Sequence, residues 1–87
     1  MTISPWSIGL QRSPIAAVIS LSVRFGKRLR ELRKERDLSQ EEFAAHCGLD
    51  RTYVSGMERG VRNPSLAVIE TLAGALGIRV EELFRGL

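Results

Sequence analysis

Residues 51–59, RTYVSGMER, place hydrogen-bonding side chains at intervals that gather them on one side of a helix. Each helical residue turns the chain by about 100°, so Val54 and Met57 define an apolar side that we expect to be buried. The other side and its flank carry Arg51, Thr52, Ser55, Gly56 and Arg59. Because guanidinium and hydroxyl groups form hydrogen bonds, this side suits the recognition of a polar or anionic surface.

A helix with short polar side chains and an arginine near its start fits the major groove of DNA. Arg51 can donate two hydrogen bonds to guanine O6 and N7, and Thr52 can bond a base edge or contact a thymine methyl group. Tyr53 lies between the two sides, so either its hydroxyl reaches a base or phosphate or its ring packs half-buried. Glycine costs about 1 kcal/mol relative to alanine in a helix interior, which predicts that Gly56 admits a closely approaching partner. We predict base contacts by these four residues.

Five further polar residues are predicted to contact the DNA backbone. Ser55 and Arg59 share the polar side of the same helix, and Arg62 and Asn63 follow it. Asn63 serves equally well as a turn former. Gln40 begins the preceding helix, whose free amides can meet a phosphate while the glutamine side chain adds a bond. Alternatively, Gln40 is only a favourable first-turn residue.

A tight corner positions the 51–59 helix. Ser39 is a good N-cap for the preceding helix, that helix ends at Gly48, and Asp50 is the next N-cap. So short a connection forces the two helices to cross steeply, and Ala44 is small enough to keep the crossing close. This combination is the helix-turn-helix pattern, here at about residues 39–59, and its alternative is a generic helical hairpin.

Helix signals recur along the rest of the chain, and strand signals are nearly absent. The predicted helices cover roughly residues 23–35, 40–47, 51–59, 66–76 and 79–84. The 87 residues suffice for one domain, and their single cysteine excludes an internal disulfide or a thiolate metal cluster. We therefore predict an all-α, five-helix domain over residues 23–87.

Residues 1–22 form an N-terminal extension of different composition, with Arg12 as their one charged residue. The apolar run IAAVISLSV is too short to span a bilayer, and no clear signal-peptide cleavage site follows it. The extension is either disordered or an extra helix with Ser13 as its cap and Pro14 at its first position. We expect no association with a membrane.

Basic charge is concentrated in one segment. The net charge is only +3, but residues 24–36 hold seven basic and two acidic side chains, whereas the balance from Pro64 onward is −1. One basic surface indicates a polyanionic partner, and the alternative is a solvated basic helix. A cytoplasmic protein associated with the nucleoid is the expected setting.

The C-terminal end carries more apolar side chains than one short helix needs for its own docking. These are Ile78, Val80, Leu83, Phe84 and Leu87. If exposed, they would form a homodimer interface, and two 51–59 helices about 34 Å apart would then contact a roughly palindromic site. Alternatively, they only close the monomer core.

Catalytic chemistry is poorly supported. His46 and Cys47 are adjacent on a helix, so their side chains diverge by about 100° and cannot act as a nucleophile and its base. The sequence has no glycine-rich phosphate loop and no metal-ligand spacing. We expect no enzyme activity, cofactor, metal or small-molecule ligand.

Three stretches, LRELRKERDLSQEEFA, CGLDRTYVSGMERGVRNPSL and LAGALGI, resemble the Cro/cI-type (XRE) helix-turn-helix family over about residues 25–84. LDRTYVSGMERGVRNPS is especially similar to the controller proteins of bacterial restriction-modification systems. The resemblance implies a lambda-repressor-like fold and a small homodimer that binds operator DNA and regulates its own operon and the endonuclease gene. It also implies a structural pair between Arg33 and Glu58.

The resemblance assigns roles that agree with the helix geometry. Residues matching Arg51, Thr52 and Tyr53 face bases in the controller group, and the fifth helix forms the dimer contact. Those at or near the DNA match Ser55, Arg59 and Arg62. Phage-type repressors and antitoxins also contain RTYVS, so a repressor or antitoxin acting partly through a protein partner is the alternative.

Overall fold

Residues 19–87, the part of the chain that the computed structural model describes, form five α-helices and no strand. The helices are α1 (Leu21–Glu35), α2 (Gln40–Cys47), α3 (Arg51–Glu58), α4 (Leu66–Leu76) and α5 (Val80–Leu83). The predicted all-α fold with five helices is confirmed. Within the described residues, none of these helices has both the length and the hydropathy to cross a bilayer. The alternatives for the N-terminal extension, disorder or a helix capped by Ser13 with Pro14 at its first position, fall on residues 1–18, which lie outside the described residues.

Side-chain caps begin four of the five helices. The hydroxyls of Ser20, Ser39 and Ser65 and the carboxylate of Asp50 accept backbone N–H bonds from the first turns of α1, α2, α4 and α3, respectively. An N-cap of this kind stabilises a helix by about 1 kcal/mol. The cap at Ser20 starts α1 at Leu21, two residues before the predicted start.

The corner between α2 and α3 has the geometry that its residues predict. At the start of α2, the Ser39 hydroxyl accepts from the Glu42 N–H at 3.0 Å, and Glu42 Oε1 accepts from the Ser39 N–H at 2.9 Å. The second of these bonds is the main reason why the pKa of Glu42 lies below its ordinary value. At the end of α2, Gly48 adopts a φ of +67°, which a residue without a Cβ reaches without strain.

The core lies where α3 meets its neighbours. Helices α1 and α2 pack against α3, and α4 packs against α2 and α5. Ala44, Val54 and Met57, which the sequence places at the contact, are 2%, 0% and 0% exposed. The other buried apolar residues are Phe25, Leu29, Leu32, Phe43, Leu72, Ala73, Leu76 and Leu83. The apolar side of α3 thus faces inward, which leaves its polar side for a partner.

The C-terminal helix is anchored in the monomer core. Leu83 is 0% exposed, so its side chain has no surface to offer to a second copy. The prediction that Leu83 lies in a dimer interface is therefore wrong, because an apolar count cannot separate a core residue from a surface residue on a short helix. The other predicted interface residues keep accessible surface: Ile78, Val80, Phe84 and Leu87.

A glycine brings α1 and α3 into backbone contact. Gly26 is buried, and an added Cβ would lie 2.4 Å from the carbonyl oxygen of Met57 and 2.5 Å from that of Glu58. Both oxygens are backbone atoms, so no side-chain rotation can relieve such a contact. The close approach of the two helices thus depends on the missing side chain at position 26.

Candidate nucleic-acid interface

The polar side of α3 is accessible from its start to its end. Arg51 and Thr52 in the first turn and Arg59 after the last turn are exposed, and Ser55 between them is half-buried. The opposite side of the helix is buried in the core. Guanidinium groups therefore stand near both ends of α3 with hydroxyl groups between them. Guanidinium groups donate hydrogen bonds to base edges and phosphates, and hydroxyl groups can donate or accept.

Asp50 fixes Thr52 at the start of α3. One carboxylate oxygen of Asp50 accepts the backbone N–H of Thr52 at 2.8 Å and its hydroxyl at 2.7 Å. The hydroxyl bond is the largest cause of the lowered pKa of Asp50, followed by the backbone bond and then by the nearby charges of Arg51 and Arg62. Because the Thr52 hydroxyl proton is committed to Asp50, its oxygen is left to accept a bond, and its methyl group is left for apolar contact.

Gly56 receives a side chain of this same chain. It is buried, and an added Cβ would lie 2.4 Å from Cγ of Arg62. The prediction that Gly56 contacts a base is therefore wrong, although the close approach that its residue type indicated does occur. The sequence pattern could not identify the approaching group, because Arg62 lies in the loop after α3 and reaches Gly56 only through the fold.

Tyr53 and Arg62 lie against each other on the surface next to α3. Tyr53 is half-buried and packs against the core, and the guanidinium carbon of Arg62 lies 5.5 Å from the centroid of its ring. A cation at this distance is attracted by the ring electrons. Of the two interpretations open for Tyr53, the structure supports half-buried packing of the ring, and a base or phosphate contact by its hydroxyl stays a prediction.

A buried ion pair joins α3 to α1. Arg33 Nε donates to Glu58 Oε2 at 2.6 Å and Nη2 donates to Oε1 at 2.9 Å, with side-chain exposures of 8% and 3%. Arg33 Nη1 also donates to the Leu38 carbonyl oxygen at 2.7 Å. The bond to Glu58 raises the pKa of Arg33, so the guanidinium stays charged. The structure thus brings together the two residues that the family resemblance pairs.

Gln40 shares this carboxylate. Its side-chain amide donates to Glu58 Oε1 at 3.1 Å, which directs one N–H inward from the start of α2. The glutamine as a whole is half-buried. Contact between Gln40 and a phosphate stays a prediction, and the structure adds a link between α2 and α3.

The loop after α3 is tied back to α1. Asn63 is exposed, and its Oδ1 accepts the hydroxyl of Ser22 at 2.6 Å. This bond uses the acceptor of the Asn63 amide and leaves its two N–H donors for a phosphate. The sequence indicated neither this contact nor that of Gln40, because both join residues far apart in the chain.

Comparison with known proteins identifies the fold that carries this surface. The family described as Helix-turn-helix, HTH_3, matches residues 29–83, which include α2 and α3. The chain belongs to this helix-turn-helix family. The helix-turn-helix chain is 54% identical to the control protein C.MunI of a Mycoplasma species over 65 residues, which are 74% of this chain and 88% of that protein.

Two solved structures share this helix-turn-helix fold, one at 60% and one at 33% sequence identity. The restriction-modification controller protein C.AhdI from Aeromonas hydrophila is 60% identical, with a TM-score of 0.70 over 71% of this chain and 94% of that one. The biofilm regulator SinR, solved in complex with DNA, is 33% identical, with a TM-score of 0.66 over 69% of this chain and 97% of that one. These helix-turn-helix relatives are regulators rather than enzymes, as expected for this chain.

Proposed function

We propose that this chain is a sequence-specific transcriptional regulator that binds operator DNA through α3 and controls the genes of a restriction-modification system. The observation that carries the proposal is the two-sided helix α3, whose apolar side is buried while Arg51, Thr52 and Arg59 are exposed. The similarity to C.MunI and C.AhdI supports the controller role. It does not favour the alternative of an antitoxin or phage-type repressor.

In this proposal, one set of residues contacts base edges and another contacts phosphates. Arg51, at the start of α3, would enter the major groove and donate to a guanine, with Thr52 beside it accepting from a base or touching a methyl group. Residues on α2, in the rest of α3 and just after α3 would hold the duplex by its phosphates. These are Gln40, Ser55, Arg59, Arg62 and Asn63. The first set would specify sequence, and the second would fix register.

The active form in this proposal is a homodimer on a roughly palindromic site. The surfaces of Ile78, Val80, Phe84 and Leu87 are the candidate contact, continuous with a core that already includes Leu83. Sedimentation equilibrium with and without operator DNA tests this assembly, and a single copy bound per operator would exclude it. Such a protein would act in the cytoplasm, on nucleoid DNA.

Selection of duplexes from a random-sequence pool tests the proposed function directly. Recovered duplexes should share two inverted half-sites whose centres lie about one helical turn apart, about 34 Å. Titration of a recovered duplex against random competitor DNA then gives the specificity ratio. Equal affinity for selected and random duplexes would reject the proposal.

Replacing Arg51 by alanine should weaken operator binding by about 1–3 kcal/mol and relax the preference at one base pair per half-site, because a bidentate bond to guanine is lost. Fluorescence anisotropy with operators substituted at each position measures both effects. Lys34→Ala removes the same charge from the exposed face of α1 and is the matched control. An unchanged base preference in Arg51→Ala would exclude the base contact.

Replacing Arg62 by alanine should weaken binding to all duplexes about equally, because a phosphate contact carries no sequence information. The plot of log affinity against log salt concentration should become shallower by about 1. Titrations at several salt concentrations measure this slope for wild type, Arg62→Ala and the Lys34→Ala control. A loss confined to one operator variant would instead indicate that Arg62 contacts a base.

A further inference from the structure

Arg62 is held against α3 by contacts along its whole length. Its backbone N–H donates to the Gly56 carbonyl oxygen at 3.1 Å, and the neighbouring Val61 N–H donates to the same oxygen at 2.9 Å. The aliphatic part of the Arg62 side chain then occupies the space beside Gly56 that a Cβ at position 56 would need. An added Cβ would lie 2.4 Å from Arg62 Cγ and 3.3 Å from Arg62 Cβ.

The far end of the same side chain rests on an aromatic ring. The guanidinium carbon of Arg62 lies 5.5 Å from the centroid of the Tyr53 ring, while the residue as a whole remains exposed. A loop arginine has many rotamers, and immobilising them on binding opposes association. A side chain that is already seated in the free protein loses less freedom when it binds a phosphate.

We propose that Gly56 and Tyr53 are positioning residues that seat Arg62 for its contact with the DNA backbone. Gly56 provides the groove for the aliphatic stem, and Tyr53 provides the platform for the guanidinium group. The inference rests on the proposed function, since the partner of Arg62 is a DNA phosphate. It also explains why a mid-helix glycine, which disfavours the helix, stands on α3 without itself touching DNA.

A double-mutant cycle between positions 56 and 62 tests whether Gly56 positions the Arg62 side chain. Gly56→Ala and Arg62→Ala should each weaken operator binding about 10-fold, as expected for a charge-assisted hydrogen bond. Both should reduce the slope of the salt dependence by the same amount. The double variant should bind no more weakly than Arg62→Ala alone, because an unseated arginine and an absent arginine are equivalent.

The control for Gly56→Ala is Gly74→Ala. It adds a methyl group to α4 where no atom lies within 4 Å apart from the chain neighbours and the nearby α4 backbone. This variant should bind the operator as wild type does. Thermal melting of all variants followed by circular dichroism reports on the fold. If Gly56→Ala lowers the melting temperature, adding Arg62→Ala to the same chain should raise it back toward the wild-type value, because the steric conflict with the Arg62 side chain is removed.

The ring of Tyr53 is tested by comparing phenylalanine with leucine. Tyr53→Phe keeps the platform and should lose less affinity than Tyr53→Leu, and the difference between them should vanish in the Arg62→Ala background. Equal losses in both backgrounds would overturn the role of the ring.

Two further outcomes separate the inference from the proposed function. If Gly56→Ala binds the operator with wild-type affinity, or if the affinity losses of the two single variants add in the double variant, the positioning role of Gly56 is overturned. Operator binding by the wild-type protein is unaffected by either result. A wild-type protein without preference for any duplex would instead overturn the proposed function.

Discussion

Glu58→Leu should lower the free energy of unfolding by about 3–5 kcal/mol, because it leaves the charged guanidinium of Arg33 buried without its carboxylate. The Arg33 side chain is 8% exposed, so water cannot replace the two lost bonds. A domain of this size has about 5 kcal/mol of stability in total, so the variant should be largely unfolded at physiological temperature. Urea denaturation followed by circular dichroism measures the change.

The matched control is Arg85→Met, which breaks the exposed ion pair between Arg85 and Glu82. Its stability should change by less than about 1 kcal/mol, because exposed pairs contribute little. If Glu58→Leu costs no more than this control, the buried pair has no special role in stability.

The double variant Arg33→Met/Glu58→Leu should recover most of the stability lost by Glu58→Leu. Two apolar side chains of similar volume remove both buried charges together, and such exchanges are often neutral or stabilising. The Gln40 amide loses its acceptor in this variant, but it is half-buried and water can replace the bond. A double variant as unstable as the single one would show that the ion pair itself stabilises the fold.

Gly26→Ala should lower the free energy of unfolding by about 2 kcal/mol net, even though alanine is the better helix former. The added Cβ would lie 2.4 Å from the Met57 carbonyl oxygen, so α1 and α3 have to separate, and overpacking of this kind costs about 1–3 kcal/mol or more. The gain in helix propensity, about 1 kcal/mol, offsets only part of this. Thermal and urea unfolding measure the net effect.

Gly74→Ala gives the opposite sign from the same substitution. Position 74 lies within α4. Apart from its chain neighbours and the nearby α4 backbone, no atom lies within 4 Å of the place that an added methyl group would occupy, so only the propensity gain of up to about 1 kcal/mol remains. Two glycine-to-alanine changes in one protein should therefore move stability in opposite directions. Equal effects would show that α1 shifts freely away from α3.

Helix starts and the two sides of α3 were predictable because their causes are local. The hydroxyl of Ser39 and the carboxylate of Asp50 act on N–H groups within three residues, and the 100° turn sorts Val54 inward without any knowledge of the fold. The same periodicity placed Arg51 and Thr52 outward. Local rules thus determine which side chains α3 exposes.

The roles of Gly26, Gly56 and Leu83 were not predictable because each depends on a neighbour that is distant in the chain or on a depth of burial. A mid-helix glycine indicates that something approaches closely, but not whether it is another helix, a loop arginine or a ligand. At Gly56 the approaching group is Arg62. An apolar residue on a short terminal helix likewise fits a core or a subunit contact equally well until the packing is known.

The carboxylate of Glu58 accepts bonds from α1, through Arg33, and from α2, through Gln40. These bonds tie three helices to one buried carboxylate, which opposes a tilt of α3 relative to α1 and α2. In the proposed complex we expect the duplex to supply the adjustment by bending or by changing its groove width, which is easiest at flexible pyrimidine–purine steps. For the proposed dimer, operators with identical contacted bases should then differ in affinity according to the stiffness of the base pairs between the two half-sites.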